Sequence, residues 1–376
     1  MKTNLKVTSL LTLGLLLGTT IYGQKMMETS AASEYENKFV RALEKRDFTS
    51  ASESILKAKE FIDQASINEE TKNSVKTLYY KAFIYVGLVE LTKSYTKDES
   101  KIKEYQNIAN ENMNLVYNNP NTKYKTKVQD YIDQRALQAF QYGEQQYTLK
   151  NYENATFAFI ESNNIKKAIG LTMENSAINA EVSFLTGINT YLDSNKTDEA
   201  LKFAEVFKSY YPTNRKVLLS LIDIQFKKSN LTEYEKLTDE FSQANPNDSV
   251  NKKLYYNLAT SYLTKKEFNK AEAGYKKALS FDGMYIDAIY QLASTYISWA
   301  MDLSKEASLL PMKDPKVKLL DDQANKTLLR GISALEKYTA VEPTDKAALT
   351  TLYRAYSRVG NEIKATEVKA KADAIK

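Results

Sequence analysis

The 376-residue chain has no cysteine and no histidine, and it carries only 11 glycines, 6 prolines and 1 tryptophan. Each absence removes a class of chemistry. Without imidazole or thiol there is no Ser-His-Asp triad, no Cys-His pair, no zinc site of the usual kind and no imidazole proton shuttle at neutral pH. Without cysteine there is no disulfide, so stability has to come from packing. No Gly-rich run exists that could form a phosphate loop or a dinucleotide fingerprint, and no cofactor is expected. The 52 Lys+Arg nearly balance 47 Asp+Glu, and the formal net charge of +5 is too small for a nucleic-acid footprint.

What is present points to helices. Lys, Glu, Ala, Leu and Asn are plentiful, turn and strand punctuators are few, and the 43% hydrophobic and 26% charged fractions are ordinary for a soluble folded chain. At the start, Lys2 and Lys6 precede an apolar run from Leu10 to Gly18, then Thr19 to Gly23 and the polar Gln24. Residues 1–23 read as a secretory signal peptide cleaved near Gly23. The run is far below the roughly 20 residues that span a bilayer, and no later segment could span one, so no transmembrane segment is expected after cleavage. Removing Lys2 and Lys6 lowers the formal charge from +5 to +3. The expected location is outside the cytoplasm, in the periplasm first, with an extracellular or outer-membrane-associated place left open. The wealth of Lys, Asn, Ile and Tyr, and the small-residue-then-Gln junction, resemble exported proteins of the Bacteroidetes group.

The most informative stretch is Tyr255-Tyr256-Asn257-Leu258-Ala259-Thr260-Ser261-Tyr262, followed by Phe268, Ala271, Tyr275 and Ala278 before Asp282-Gly283. It resembles a tetratricopeptide repeat. Counted from Lys252, the signature positions 4, 7, 8, 11, 20, 24 and 27 hold Tyr255, Leu258, Ala259, Tyr262, Ala271, Tyr275 and Ala278. Small residues at positions 8, 20 and 27 let two antiparallel helices approach, and the large ones fill the gaps beside them. Gly283 stands where the family often has Pro. Pro212 and Pro246 lie 34 residues apart, the family period. The unit ending at Pro212 offers Phe184, Gly187, Ile188, Tyr191, Ala200 and Ala204; the one ending at Pro246 has the bulky Tyr234 where a small residue is usual. Leu349, Leu352, Tyr353, Tyr356, Gly360, Ala365 and Ala372 fit again, as do Ala139, Tyr142, Gly143, Ala155 and Phe159, and Phe48, Ala51, Ile55 and Ala58 look like half a unit. The resemblance implies an all-α, right-handed superhelical solenoid of antiparallel helix pairs. Degenerate repeats are expected over 24–180 and a clearer array over 181–376.

Two units read as stretched. Ser298 and Gly331 are 33 residues apart where the family places 7, and the extra residues, about 299–326, contain Pro311 and Pro315 at a turn. Residues 71–118 look alike, with an apolar helix through Tyr79, Phe83, Val86 and Leu91, a break at Lys97 to Ser100, and a second helix to Tyr117. Both are expected to be elongated helical hairpins, either packed on neighbours or free as docking prongs.

Repeats of this family act by presenting a groove lined by their first helices, which implies a protein or peptide partner. The implied partner-binding residues are Tyr256, Asn257, Thr260, Tyr290, Gln291, Arg354 and Arg358. The Lys and Asn pattern that clamps a terminal carboxylate in the best-defined members is absent, so that specificity is not carried over. One enzyme reading survives the lack of cysteine and histidine, because Glu161-Ser162 followed by Gly170-Leu171-Thr172-Met173 superficially resembles the motifs of lytic transglycosylases. The separation is too short and the Gln is missing, so no catalytic residue is assigned. The expected role is a non-catalytic scaffold or adaptor of the bacterial cell envelope, with glycan or peptide capture as the alternative and a peptidoglycan-acting enzyme as a more distant one.

Overall fold

The computed structural model describes residues 25–120 and 123–375. The signal peptide expected over 1–23 lies outside the described residues. Among these, every regular element is a helix, and none is long and apolar enough to cross a membrane. The chain divides into two compact units, Met1–Gly187 and Ile188–Lys376.

In the first unit, α1 (25–44) contains a π-helical stretch at Glu34–Phe39. It is followed by α2 (Phe48–Ile67), α3 (Val75–Tyr95), α4 (Glu99–Tyr117), α5 (Lys123–Thr148) and α6 (Tyr152–Lys167). Helix α7 (Glu174–Asp193) carries the chain into the second unit, which holds α8 (Thr197–Tyr210), α9 (Arg215–Lys227), α10 (Leu231–Ala244), α11 (Val250–Thr264) and α12 (Phe268–Phe281). It ends with α13 (Ile286–Ser308), α14 (Pro315–Val341), α15 (Lys346–Arg358) and α16 (Glu362–Asp373). Sequential helices pack as pairs: α1 with α2, α3 with α4, α5 with α6, α9 with α10, α11 with α12, α13 with α14, and α15 with α16. This is the antiparallel helix-pair solenoid that the repeat pattern predicts.

The turn inside a pair recurs in every pair except α13 with α14. Arg46, Lys97, Lys150, Asn195, Ser229, Lys266 and Gly360 all have positive φ. In the best-matching repeat the Lys266 amide donates to the Leu263 carbonyl at 2.9 Å, and the Glu267 amide donates to Tyr262 at 2.9 Å. Asn151 to Gln146, Asn230 to Gln225 and Asn361 to Tyr356 repeat the longer bond at 2.9 to 3.0 Å. A single left-handed residue thus satisfies the last carbonyls of the first helix and reverses the chain in three residues.

Close approach within a pair follows from the small residues. Ala259, Ala271 and Ala278 are fully buried, and a Cβ built on Gly274 would lie 2.8 Å from the Cβ of Ala259. The Phe159 ring lies so close to Gly143 that a Cβ there would come within 2.7 Å of it. At Tyr234, the expected misfit is accommodated: the side chain is buried and its hydroxyl donates to the Leu254 carbonyl at 3.1 Å, in the next pair.

Tyrosine hydroxyls that reach the packing positions are met by carboxylates. Tyr255 donates to Asp239 at 2.5 Å and Tyr262 to Glu235 at 2.6 Å, both across from α11 to α10. Tyr80 donates to Glu36 at 2.7 Å and Tyr85 to Asp63 at 2.8 Å in the first unit, and Tyr356 to Glu336 in the second. A buried hydroxyl without a partner would cost about 1–3 kcal/mol, so these acids are part of the core's design.

Both elongated hairpins are present. Helix α13 runs 23 residues and α14 27, joined by a turn at 309–314 in which Asp314 caps α14 by accepting from the Lys316 amide at 2.9 Å. Buried Ala300, Ala307 and Ala324 form the hairpin's seam. Trp299 stacks on Phe268 of α12 at 6.0 Å, and Arg330 lies 4.2 Å from the Tyr296 ring centroid while pairing with Glu272 of α12. The base of the hairpin is therefore packed on its neighbour, while Leu309 and Met312 at the tip are exposed.

Candidate partner-binding groove

First helices of successive pairs lie side by side, α11 beside α13, so their outer residues share one surface. Tyr256, on α11, meets Tyr285 at 5.3 Å and Tyr275 at 5.7 Å between ring centroids. Thr260 joins this group: its hydroxyl donates to the Tyr256 carbonyl at 2.9 Å and lies 2.9 Å from the Tyr275 hydroxyl. Burial raises the Tyr256 hydroxyl above its ordinary pKa, with the charge of Asp287 adding to it and hydrogen bonds to Thr260 and Gln291 opposing it. Gln291 thus faces Tyr256 across the boundary between two pairs. Tyr256, Thr260 and Gln291 are half-buried, and Asn257 is exposed beside them.

The remaining sequence candidates are placed elsewhere. Tyr290 packs on Tyr338 at 4.9 Å and belongs to the edge of the C-terminal core. Arg354 and Arg358 are exposed on α15 and enter no ion pair among the described residues. The tyrosine rings of this surface are largely occupied with one another, which leaves Asn257, the Gln291 amide and the ring edges for a ligand.

The first unit has a pocket in the corresponding place. Between α5 and α7, a cavity of about 310 Å³ is lined by Glu144, Tyr147 and Thr148 of α5, Phe159 of α6, and Asn179, Val182 and Ser183 of α7. Its origin is local. Gly143 lets the Phe159 ring lie against α5, which recesses the floor, while Tyr147 and Val182 stand at 37% and 45% exposure on the walls. The Ser183 hydroxyl is buried without a hydrogen-bond partner. An apolar floor with a few polar groups on its rim is the composition of a ligand site. Glu144, Tyr147, Thr148 and Val182 occupy the same repeat positions as the groove residues of α11 and α13, counted from Ala139 and Phe184. Their signal was therefore available in the sequence, but position alone does not show where a gap opens.

The transglycosylase-like residues do not form a site. Ser162 is fully buried and donates to the Ala136 carbonyl at 2.7 Å, and Asn163 accepts from the Met173 amide at 3.0 Å. Ser162, Asn163 and Met173 are structural ties between α5, α6 and the loop before α7, while Glu161 is exposed.

No protein-family model and no curated protein matches the chain. Among solved structures it is similar to the crystal structure of MamA, with 19% identity over 49% of this chain and 91% of that one, at a TM-score of 0.33. It is also similar to YrrB, a TPR protein with an unusual peptide-binding site, with 15% identity over 52% of this chain and 86% of that one, at 0.35. A monomeric mutant of IFIT1 with Gppp-AAAA aligns over 93% of this chain and 69% of that one, with 18% identity and a TM-score of 0.32.

Proposed function

We propose that the protein is a non-catalytic interaction scaffold of the bacterial cell envelope that holds a segment of a protein or peptide partner along its first helices. The observation that carries this reading is the recess between α5 and α7, where Tyr147 and Val182 stand exposed over a Phe159 floor and Glu144, Thr148 and Asn179 offer hydrogen bonds. An apolar side chain of the partner fills the recess, and its backbone amides meet the polar rim. Tyr256, Asn257, Thr260 and Gln291 supply an aromatic and amide surface of the same kind in the second unit. Export follows from the basic, apolar and small-residue order of residues 1–23.

The test is affinity capture with residues 24–376 as bait, using mild crosslinking in an envelope extract and mass spectrometry of what is retained. A reproducible envelope protein with crosslinks to α5 and α7, lost in Val182→Glu, supports the scaffold. Retention of glycan fragments alone, or capture that ignores Val182→Glu, overturns it.

A further inference from the structure

The elongated hairpin of the first unit builds a second cavity, away from the groove. Helices α3, α4, α5 and α6 surround a pocket of about 380 Å³ whose floor includes the buried side chains of Val89, Met113 and Ile132. Its rim is charged in an uneven way. Glu90 lies between two cations, 3.6 Å from Lys93 and 3.8 Å from Arg135, both beyond hydrogen-bond reach. Glu161 lines the same pocket from α6 and pairs with neither cation. Lys93, Arg135 and Glu90 together carry one net positive charge, and Glu161 is a separate negative charge on the rim of the apolar floor.

The polar groups here have unused capacity. Arg135 donates to no side chain among the described residues, although its planar fork suits a carboxylate. Tyr131 is half-buried, packs its ring on Phe83 at 5.0 Å, and has no hydrogen bond from its hydroxyl among the described residues. Burial raises the Tyr131 pKa, Arg135 lowers it and Glu90 raises it, which places this hydroxyl within the field of the charged cluster. Gln106, Asn110 and Asn164 add carboxamides to the wall, with Gln106 donating to Asn110 at 3.1 Å. Arg135 is 45% exposed, so its guanidinium is open to a ligand that enters the pocket.

We propose that this pocket binds a small zwitterion with an apolar side chain, a free amino acid or dipeptide. Its carboxylate sits on Arg135 and Lys93, its ammonium group on Glu161, and its side chain on Val89, Met113 and Ile132. The carboxamides take the peptide bond. The volume falls at the low end of the range for small-molecule sites, which excludes a folded partner and admits a ligand of this size. The elongated hairpin then has a purpose beyond the repeat: its extra length supplies one half of the pocket.

Isothermal titration calorimetry on the full chain tests this with three probes, the dipeptide Leu-Phe, its N-acetyl derivative and its C-terminal amide. Leu-Phe is expected to bind saturably, and blocking either end weakens binding at least about tenfold, or about 1.4 kcal/mol. In Arg135→Gln the acid and the amide bind alike; in Glu161→Gln the free and acetylated amines bind alike. Both side chains lie at the rim, so thermal unfolding of the variants matches the parent. The proposal is overturned by no saturable heat from Leu-Phe up to about 10 mM, by equal binding of all three probes, or by end-group selectivity that survives both substitutions.

Discussion

Replacing Gly274 by alanine sets two terms against each other. In the interior of α12, alanine is favoured over glycine by about 1 kcal/mol because less backbone entropy is lost on folding. Against this, the new methyl lies 2.8 Å from the Cβ of Ala259, 3.2 Å from its Cα and 3.3 Å from the Tyr255 carbonyl oxygen. These atoms belong to the backbone of α11 or sit directly on it, so no rotamer change relieves the clash. Optimal carbon contacts lie near 3.5–4.0 Å, so α11 and α12 have to separate by roughly 1 Å. That loosens Tyr255, Ala259, Tyr275 and Ala278 together, at about 2–3 kcal/mol in the usual range for overpacking. The net expectation is a loss of about 1–2 kcal/mol. Gly331→Ala provides the milder comparison, because its nearest neighbour is the Cγ1 of the half-buried Ile297 at 3.1 Å, a side-chain atom that can yield, and the Tyr296 Cβ at 3.3 Å asks for a shift of only a few tenths of an ångström. There the helix-propensity gain prevails and stability rises by about 0.5 kcal/mol. Urea unfolding followed by circular dichroism gives the two midpoints. Amide exchange in α11, α12 and α14 localises the effect, since a repeat array need not unfold in one step. If Gly274→Ala is as stable as the parent, or both variants shift alike, the close-approach argument fails.

Other substitutions probe the turns and the tyrosines. Ser229 holds φ 56 and Gly360 φ 75 with nothing within 4 Å of an added Cβ, so Ser229→Gly should stabilise by about 0.5–1 kcal/mol and Gly360→Ala should destabilise by about 1 kcal/mol, both read as melting shifts. Burial raises the Tyr275 pKa to about 12 from an ordinary 10.0. The fold therefore favours the protonated phenol: its contribution is complete below pH 10 and is lost as pH climbs towards 12. Buried Tyr234 behaves alike, and each such group steepens the alkaline loss by up to about 1.4 kcal/mol per pH unit. Tyr275→Phe should accordingly flatten the stability curve between pH 10 and 12, and an unchanged slope refutes the assignment. At the acid side, the Ala348 amide holds the Asp345 carboxyl below its usual range by donating to it at 2.9 Å. Its stabilisation is present above the unfolded value of 3.8 and is lost as pH falls through the folded one. Asp345→Ala should cost about 1 kcal/mol at neutral pH, with the gap to the parent narrowing below pH 4 in acid titrations.

Some of this was legible residue by residue. Tyr255, Ala259, Ala271, Tyr275 and Ala278 are all buried as their repeat positions require, and the two stretched units are long hairpins. Other parts were hidden. A Cβ on Gly274 would come within 2.8 Å of Ala259, yet the signature does not single this glycine out. Tyr290 occupies a groove position by count but spends its ring on Tyr338, which stands where the preceding unit has the small Ala278. Nothing in the repeat signature marks the acids Asp239 and Glu235, and only the packing of α11 on α10 shows that they receive tyrosine hydroxyls.

What the sequence determined by itself is the local order: helices, the turns between them, and small residues where two helices must touch. Those follow from 3.6-residue periodicity and side-chain volume, which are properties of neighbours along the chain. The tertiary structure alone decided where space remains. The recess over Phe159 and the pocket beside Arg135 exist because four or more side chains from different helices fail to fill a volume between them. A gap of that kind depends on ångström-scale packing of residues far apart in sequence, and no periodicity records it.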